Sequence, residues 1–221
     1  MKNVGFIFVF LCLVGCASGS VNSNSLQEEG YGAVMYRQTP PATPESVGLF
    51  LAEFDEADGS IGVIDTPWSD RRLNKWESIW DTEQHYQLAW LKPGLYVVRS
   101  FHQQDKWQLC FHEDAVVFEI TAGEVSYLGQ LDVSEFTMAL QLNVMKEDGG
   151  DLVKFGSETS SYYFDGVPRL EFSAPSKNEL VRVDGFIARQ PATTQMSTKS
   201  ADVERHPFQT KTYLTGGRRC N

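Results

Sequence analysis

The chain has 221 residues and carries 29 acidic against 19 basic side chains, for a formal net charge of −10. Such an acidic chain is a poor candidate for binding nucleic acid or anionic lipid, because basic side chains supply that affinity. Hydrophobic residues make up 42% of the chain, and no shift in composition divides it, so a single domain with a sizeable core is expected.

The N-terminus has one basic residue, Lys2, followed by an uncharged apolar run over residues 4–14. The run is shorter than the roughly 20 residues that a transmembrane helix needs. A basic start before a short apolar segment is the layout of a secretory signal. The sequence therefore predicts export rather than a membrane span or a buried core segment.

The apolar run ends in LVGC at residues 13–16, which resembles the lipobox of bacterial lipoprotein precursors. The resemblance implies that residues 1–15 are a signal peptide and that Cys16 receives lipid on its thiol. An ordinary signal peptide cut at Ala17 or Ser18 is the alternative. Residue 17 is not the aspartate that retains many Gram-negative lipoproteins at the inner membrane. For a Gram-negative source the resemblance therefore implies the outer membrane, with the domain facing the periplasm.

Residues 16–30 form a polar stretch rich in small side chains, which is typical of a flexible tether. Loss of residues 1–15 removes Lys2 and no acidic residue, so the net charge changes from −10 to −11. The predicted mature protein is an acidic domain on a short tether that contacts the membrane through its lipid.

Residues 31–189 are predicted to form the folded domain. Short apolar or alternating runs, separated by Gly, Pro, Asp and Asn, indicate about eight to ten strands spaced about 10–15 residues apart. That pattern favours an all-β fold, a single antiparallel β-sandwich with extended N- and C-terminal segments. Residues 190–221 show little periodicity and are the predicted C-terminal tail. The clearest runs are residues 46–54, 60–65, 85–91, 95–101, 115–133, 136–145 and 179–188.

Turn residues connect several of these runs. Asp58-Gly59 ends the connection between the first two runs and predicts a hairpin. Lys92-Pro93-Gly94 and Ala122-Gly123 predict turns, because proline presets φ and glycine accepts a positive φ. Apolar and polar side chains alternate over residues 136–145, which predicts a strand with one face towards water. Residues 179–188 are predicted to be a strand that closes the domain.

The candidate short helix is residues 69–84. Leu73, Trp76 and Trp80 fall at i, i+3 and i+7, which places them on one stripe of a helix. A long loop crossed by a strand is the competing prediction for this segment.

Motifs for catalysis and cofactors are absent from the sequence. It contains no G-x-S-x-G, H-E-x-x-H or G-x-x-x-x-G-K-[ST], and residues 30–35 lack the third glycine of a dinucleotide fingerprint. Residues 54–60 crowd oxygen ligands, but glycine and glutamate miss the EF-hand positions. Cys110 and His112, followed by two acids, are a weak metal motif because two ligands two residues apart are common by chance. We expect no cofactor, no metal and no catalytic residue.

All five tryptophans lie between residues 68 and 107. Aromatic faces stack on sugars or grip peptides, so Trp68, Trp76, Trp80 and Trp107 are candidate ligand-binding residues, whereas Trp90 lies in a predicted core strand. The alternative is that these side chains pack a long loop against the domain.

Cys110 and Cys220 remain after removal of the signal peptide. An even pair of cysteines in an oxidising compartment predicts a disulfide between the middle of the domain and its C-terminus. Two unpaired thiols, one in a strand and one in the tail, are the alternative.

Two stretches carry a further resemblance. LKPGLYVVRSF at residues 91–101 and VFEITAGEVSYLGQLDV at residues 117–133 resemble turns and strands of uncharacterised bacterial lipoproteins with transthyretin-like or carboxypeptidase-regulatory-like β-sandwiches. The resemblance implies a fold and an envelope location, and it brings no catalytic residues. The matching positions are Leu91, Pro93, Gly94 and Tyr96 in the first stretch and Phe118, Ile120, Ala122, Gly123, Tyr127, Leu128 and Gly129 in the second.

Together these features predict a lipid-anchored envelope protein that binds or assembles with an envelope protein or a glycan, without catalysis. An envelope hydrolase, or a glycan-binding protein that uses residues 68–107, is the alternative. A pocket with a perturbed carboxylate or histidine would favour the enzyme. An exposed apolar patch or a bare sheet edge would favour a protein partner.

Overall fold

The computed structural model describes residues 30–40, 47–62, 77–81, 84–103, 107–147, 167–190, 193, 195–212 and 218–219. Neither helix within these ranges is long and apolar enough to span a membrane. The predicted signal peptide, the predicted lipidation site Cys16 and residues 17–29 of the predicted tether lie outside the described residues, as do Trp68, Trp76 and Cys220.

The described elements are mostly strands, which confirms the all-β class. In chain order they are β1 (Gly32–Thr39), β2 (Val47–Asp55), β3 (Ser60–Gly62), β4 (Glu77–Asp81), β5 (Gln84–Leu91), β6 (Gly94–Gln103), β7 (Trp107–Cys110), β8 (Ala115–Ile120), β9 (Glu124–Asp132), α1 (Ser134–Glu147), α2 (Lys177–Ile187), β10 (Ser197–Ser200), β11 (Val203–His206), β12 (Lys211–Thr212) and β13 (Arg218–Arg219).

Sheet 1 has the strand order β10-β9-β1-β5-β4 and is mixed. The β1–β5 and β5–β4 pairs are antiparallel, whereas β1–β9 and β9–β10 are parallel. The prediction of a purely antiparallel fold is therefore wrong for this sheet. The reason is the turn at Ala122-Gly123, which leads from β8 in one sheet to β9 in the other. The Gly123 amide donates to the Tyr31 carbonyl at 3.0 Å, so β9 starts beside the start of β1 and runs in the same direction.

Sheet 2 has the order β11-β8-β6-β2-β3, with β7 also paired to β6, and its ladders are antiparallel. The predicted hairpin across Asp58-Gly59 is confirmed as β2–β3, with Gly59 at φ +70°. The turn at Lys92-Pro93-Gly94 connects β5 in sheet 1 to β6 in sheet 2. Within the predicted C-terminal tail, β10 and β11 add one edge strand to each sheet.

Both sheets bury side chains in one hydrophobic cluster. The strands of both sheets supply β-branched and aromatic residues, which pack well on a pleated surface. A second, smaller cluster lies on the opposite face of sheet 1, where α2 covers it. The shared cluster includes Val34, Ala89, Leu91 and Leu128 from sheet 1 and Leu49, Val97, Phe101 and Phe118 from sheet 2.

The predicted strand at residues 136–145 is wrong, because this segment lies in helix α1. The Ser134 amide donates to Asp132 Oδ1 at 2.9 Å, which satisfies a donor that the first turn leaves open. Phe136 and Leu140, four residues apart, are buried. The ring of Phe136 packs on those of Phe101 and Phe111, so tertiary contact favours the helical spacing over the alternation.

The predicted strand at residues 179–188 is also wrong, because α2 covers residues 177–187. Ser176 caps this helix by accepting the Glu179 amide at 3.2 Å. Phe186 is buried against Tyr86 of β5, with ring centroids 4.8 Å apart. The sequence signal that we missed is S-x-x-E at residues 176–179, a typical helix start.

Residues 77–81 of the candidate helix form β4, paired antiparallel with β5. The helix prediction is wrong for these residues, and the competing prediction of a strand crossing the segment is confirmed there. Trp90 is buried in β5, as predicted.

Gly129 has φ +105° and lies so close to the Ser173 carbonyl oxygen that a Cβ would be 2.2 Å from it, which explains a glycine at this position.

Candidate functional site

The main exposed apolar feature of the described residues lies on α1. Met138, Leu142 and Met145 are 56%, 62% and 50% exposed. Their spacing of four and three residues places them on one face of the helix. Phe136 and Leu140 occupy the opposite, buried face. The helix is thus apolar on both sides, and among the described residues only the side with Phe136 and Leu140 is buried.

Two charged side chains flank these three residues. Glu135 lies in the first turn of α1 and Lys146 in its last turn. Both are exposed, and residues 136–145 between them contain no charged residue. Glu135 is three residues before Met138, and Lys146 is four residues after Leu142, so both project on the same side of the helix. We call the set Glu135, Met138, Leu142, Met145 and Lys146 the α1 stripe.

A buried polar network fastens α2 to sheet 1. The Tyr127 hydroxyl donates to Glu179 Oε1 at 2.7 Å, and Arg37 Nε lies 3.7 Å from the same oxygen. Arg37 also donates to the side-chain carbonyl of Gln130. Burial, followed by the hydrogen bond to Glu179, raises the pKa of Tyr127. The carboxylate of Glu179 is engaged by neighbours on two strands, so it holds the helix in place.

A second polar group lies on the face of sheet 1 that meets the shared cluster. Gln87 Nε2 donates to Gln38 Oε1 at 3.4 Å and is 3.2 Å from His85 Nε2. All three side chains are buried, and burial lowers the pKa of His85. In the β4–β5 ladder, Trp80 is the register partner of His85. One predicted ligand-binding tryptophan therefore belongs to a strand beside a buried imidazole.

A third group joins the β2–β3 turn to β11. One ligand atom each of Glu56, Glu204 and His206 lies within 4.8 Å of the others. His206 Nε2 is 3.1 Å from Glu204 Oε2. The backbone keeps these residues together, because the Gln209 amide donates to the Gly59 carbonyl at 2.9 Å. Two carboxylates and an imidazole suit a divalent transition metal. The two glutamates are exposed, however, and the hydrogen bond already explains the pairing of His206 with Glu204.

In the weak metal motif at residues 110–114, Asp114 is engaged by two arginines. Asp114 Oδ2 lies 2.7 Å from Arg169 Nε, and Arg205 Nη1 donates to the Asp114 carbonyl at 3.2 Å. These contacts tie residues 167–173 to the edge of sheet 2. Cys110, at the end of β7, is buried.

The structure places the two described candidate tryptophans in different sheets. Trp80 lies in β4 of sheet 1 and Trp107 in β7 of sheet 2. No ladder brings these two strands together within the described ranges. The α1 stripe was missed because residues 136–145 were interpreted with a two-residue period. The spacing of Met138, Leu142 and Met145 was the signal that could have revealed it.

Comparison of the chain with protein-family models, curated proteins and solved structures finds no match. The resemblance to transthyretin-like lipoprotein domains stays a prediction, and any function has to be argued from the residues themselves.

Proposed function

We propose that this chain is a lipid-anchored cell-envelope protein whose domain binds a protein partner without catalysis. The anchor rests on the lipobox that ends at Cys16. A single acyl chain gives only marginal membrane binding, whereas two or three, at ~0.8 kcal/mol per buried CH₂, hold a protein at the bilayer. The domain would face the periplasm from the outer membrane in a Gram-negative cell.

The observation that carries the binding role is the α1 stripe. Isolated exposed hydrophobic residues are ordinary on protein surfaces, but contiguous ones mark interaction sites. Met138, Leu142 and Met145 are contiguous along one helix face and each is at least half exposed. Methionine suits such a face because its flexible thioether chain adapts to the shape of a partner.

The polar groups support binding over catalysis. A catalytic carboxylate needs access to substrate, whereas Glu179 is buried and engaged by Tyr127 and Arg37. His85 is buried with Gln87 and Gln38. Both groups contribute to the stability of the fold, and neither Glu179 nor His85 is exposed to act as a general acid or base on a substrate.

We propose further that the two sheets pack as a β-sandwich, in keeping with the transthyretin-like resemblance. The shared hydrophobic cluster contains side chains from both sheets, which supports this arrangement. The close approach of Gly129 to Ser173 gives one matching glycine a physical role.

The disulfide between Cys110 and Cys220 is also a proposal. The Phe208 amide donates to the His112 carbonyl at 2.9 Å, two residues from Cys110. Three residues later, Lys211 pairs with Arg219, the residue before Cys220. Two backbone pairings thus connect Arg219, the described residue before Cys220, to the segment that follows Cys110, which supports the bond.

Fatty-acid labelling tests the anchor. Cells that express the wild-type chain and the Cys16→Ser variant are grown with a clickable fatty-acid analogue. We expect label on the wild type alone, since the thiol is the acylated group. Equal labelling of both chains would contradict the anchor.

Crosslinking in intact cells tests the binding role. Leu142→Gln removes the centre of the α1 stripe, and Val181→Gln removes an aliphatic side chain of similar exposure, 70%, from α2. We expect crosslinked complexes of the wild type and of Val181→Gln, and their loss in Leu142→Gln. Complexes that survive Leu142→Gln, or none with the wild type, would contradict the proposed role.

A glycan-binding role is the second candidate, favoured by the position of Trp80 on an edge strand beside His85. Co-sedimentation with purified cell-wall glycan tests it. Trp80→Ala should release the protein into the supernatant, and Trp107→Ala, in the other sheet, is the matched control. Equal sedimentation of wild type and Trp80→Ala would eliminate this candidate.

A further inference from the structure

We infer that the partner of the α1 stripe is a second copy of this chain, whose α1 packs antiparallel to the first across a two-fold axis. This inference rests on the proposed binding role of the stripe and names its partner. A two-fold interface uses the same patch on both subunits, so the patch must be complementary to itself.

Charge makes the α1 stripe self-complementary in one orientation. Glu135 lies at its beginning and Lys146 at its end. In an antiparallel pair, Glu135 faces Lys146 of the partner subunit, and the symmetry produces this contact twice. A parallel pair would instead place like charges opposite each other at both ends. Such charges at the edge of a contact select orientation and register.

The apolar part of the α1 stripe fits the same symmetry. Glu135 and Lys146 are 11 residues apart, about 16 Å along a helix. Met138 and Leu142 lie on either side of the midpoint, and each faces the region of the other in the partner subunit. Glu135, Met138, Leu142 and Met145 follow a 3-4-3 spacing, the seam along which two helices pack.

A lipid surface is a poorer occupant of this face. Helices that lie on membranes carry several Lys and Arg on the polar side, and anionic headgroups repel an acidic protein. Lys146 is the single basic residue of α1, in a chain of net charge −10.

The proposed fatty-acid anchor supports self-pairing in another way. It confines all copies to one surface, which raises their effective concentration and makes a small contact sufficient.

The test uses the full lipidated chain in intact cells, with a photo-crosslinking residue at Gln141. Gln141 is exposed and flanks the α1 stripe without belonging to it. We expect an adduct of twice the mass of the chain. Glu135→Lys alone and Lys146→Glu alone should each reduce its yield at least fivefold. The double variant, Glu135→Lys with Lys146→Glu, should restore it.

The restoration is diagnostic because it cannot come from a more stable helix. Acidic residues favour a helix N-terminus and basic residues a C-terminus, so the double variant has both charges at the unfavourable ends. The three variants change exposed side chains, and circular dichroism of the purified proteins checks that they fold. Val181→Gln should leave the adduct unchanged.

The remaining outcomes overturn the inference in distinguishable ways. An adduct with a different protein, lost in Leu142→Gln, overturns self-pairing and leaves the proposed binding role intact. No adduct of any kind overturns both. A self-adduct that the double variant does not restore overturns the antiparallel arrangement.

Discussion

The hydrogen bond between Tyr127 and Glu179 should be worth more to stability than an average one. The Tyr127→Phe variant keeps the ring and removes only the hydroxyl that donates to Glu179 Oε1 at 2.7 Å. A hydrogen bond to a charged group contributes about 1.5–3 kcal/mol. The carboxylate side chain is 10% exposed, so water replaces the lost donor poorly, whereas Arg37 at 3.7 Å still offsets its charge. We expect a loss of about 2 kcal/mol.

Urea unfolding followed by tryptophan fluorescence measures this loss. With an m value of about 2 kcal/mol/M, the midpoint should fall by about 1 M. The internal control is the Glu179→Ala background, in which the hydroxyl has no carboxylate to bind. Tyr127→Phe should cost less than about 0.5 kcal/mol there, and the difference between the two backgrounds is the coupling energy of the pair.

Two results would refute the reasoning. A cost below about 0.5 kcal/mol in the otherwise wild-type chain would mean that the buried carboxylate does not depend on Tyr127. Equal costs in both backgrounds would mean that the hydroxyl contributes through contacts other than Glu179. Hydrogen exchange of α2 amides adds a structural readout, because the helix should lose protection when this attachment is weakened.

Three further predictions concern the disulfide, a histidine and a glycine. Cys110→Ser and Cys220→Ser should each lower the unfolding free energy by up to about 4–5 kcal/mol, the chain-entropy value for a loop of about 110 residues. Unchanged stability of both under non-reducing conditions would argue against the bond. Burial lowers the pKa of His85, so the unfolded state binds its proton first and stability should fall as pH drops below about 6.5. The slope should be at most about 1.4 kcal/mol per pH unit and shrink in His85→Gln, and an unchanged slope would exclude His85 as its source. Gly129→Ala should lower the melting temperature by at least several degrees, because its Cβ would clash with the Ser173 carbonyl, and a wild-type melting curve would contradict that geometry.

The strands that sequence predicted well are those whose pattern is local. β2, β5, β6, β8 and β9 each combine a short apolar or alternating run with turn residues at their ends. The wrongly predicted strand at residues 136–145 is a helix for a physical reason that lies elsewhere in the chain. Phe136 and Leu140 satisfy both a two-residue and a four-residue period. Packing of Phe136 on the aromatic rings of Phe101 and Phe111 favours the four-residue period of a helix.

Strand pairing was less predictable than strand position. The turn at Ala122-Gly123 has the residues of a hairpin, yet β8 and β9 belong to different sheets. The amide of Gly123 bonds to Tyr31, which is about ninety residues away in the chain. A turn motif describes the local bend, whereas the choice of partner strand depends on which distant backbone is available.

The amino-acid sequence alone determined the acidity of the chain, the apolar N-terminal run that predicts export, and the positions of β2, β3, β5, β6, β8 and β9. These properties depend on composition and on neighbours within a few residues. Only the tertiary structure decided that Met138, Leu142 and Met145 face outwards and that Tyr127, Arg37 and Glu179 meet in one buried network. Exposure and burial are properties of the packed whole, because a side chain is covered only when distant strands and helices converge on it.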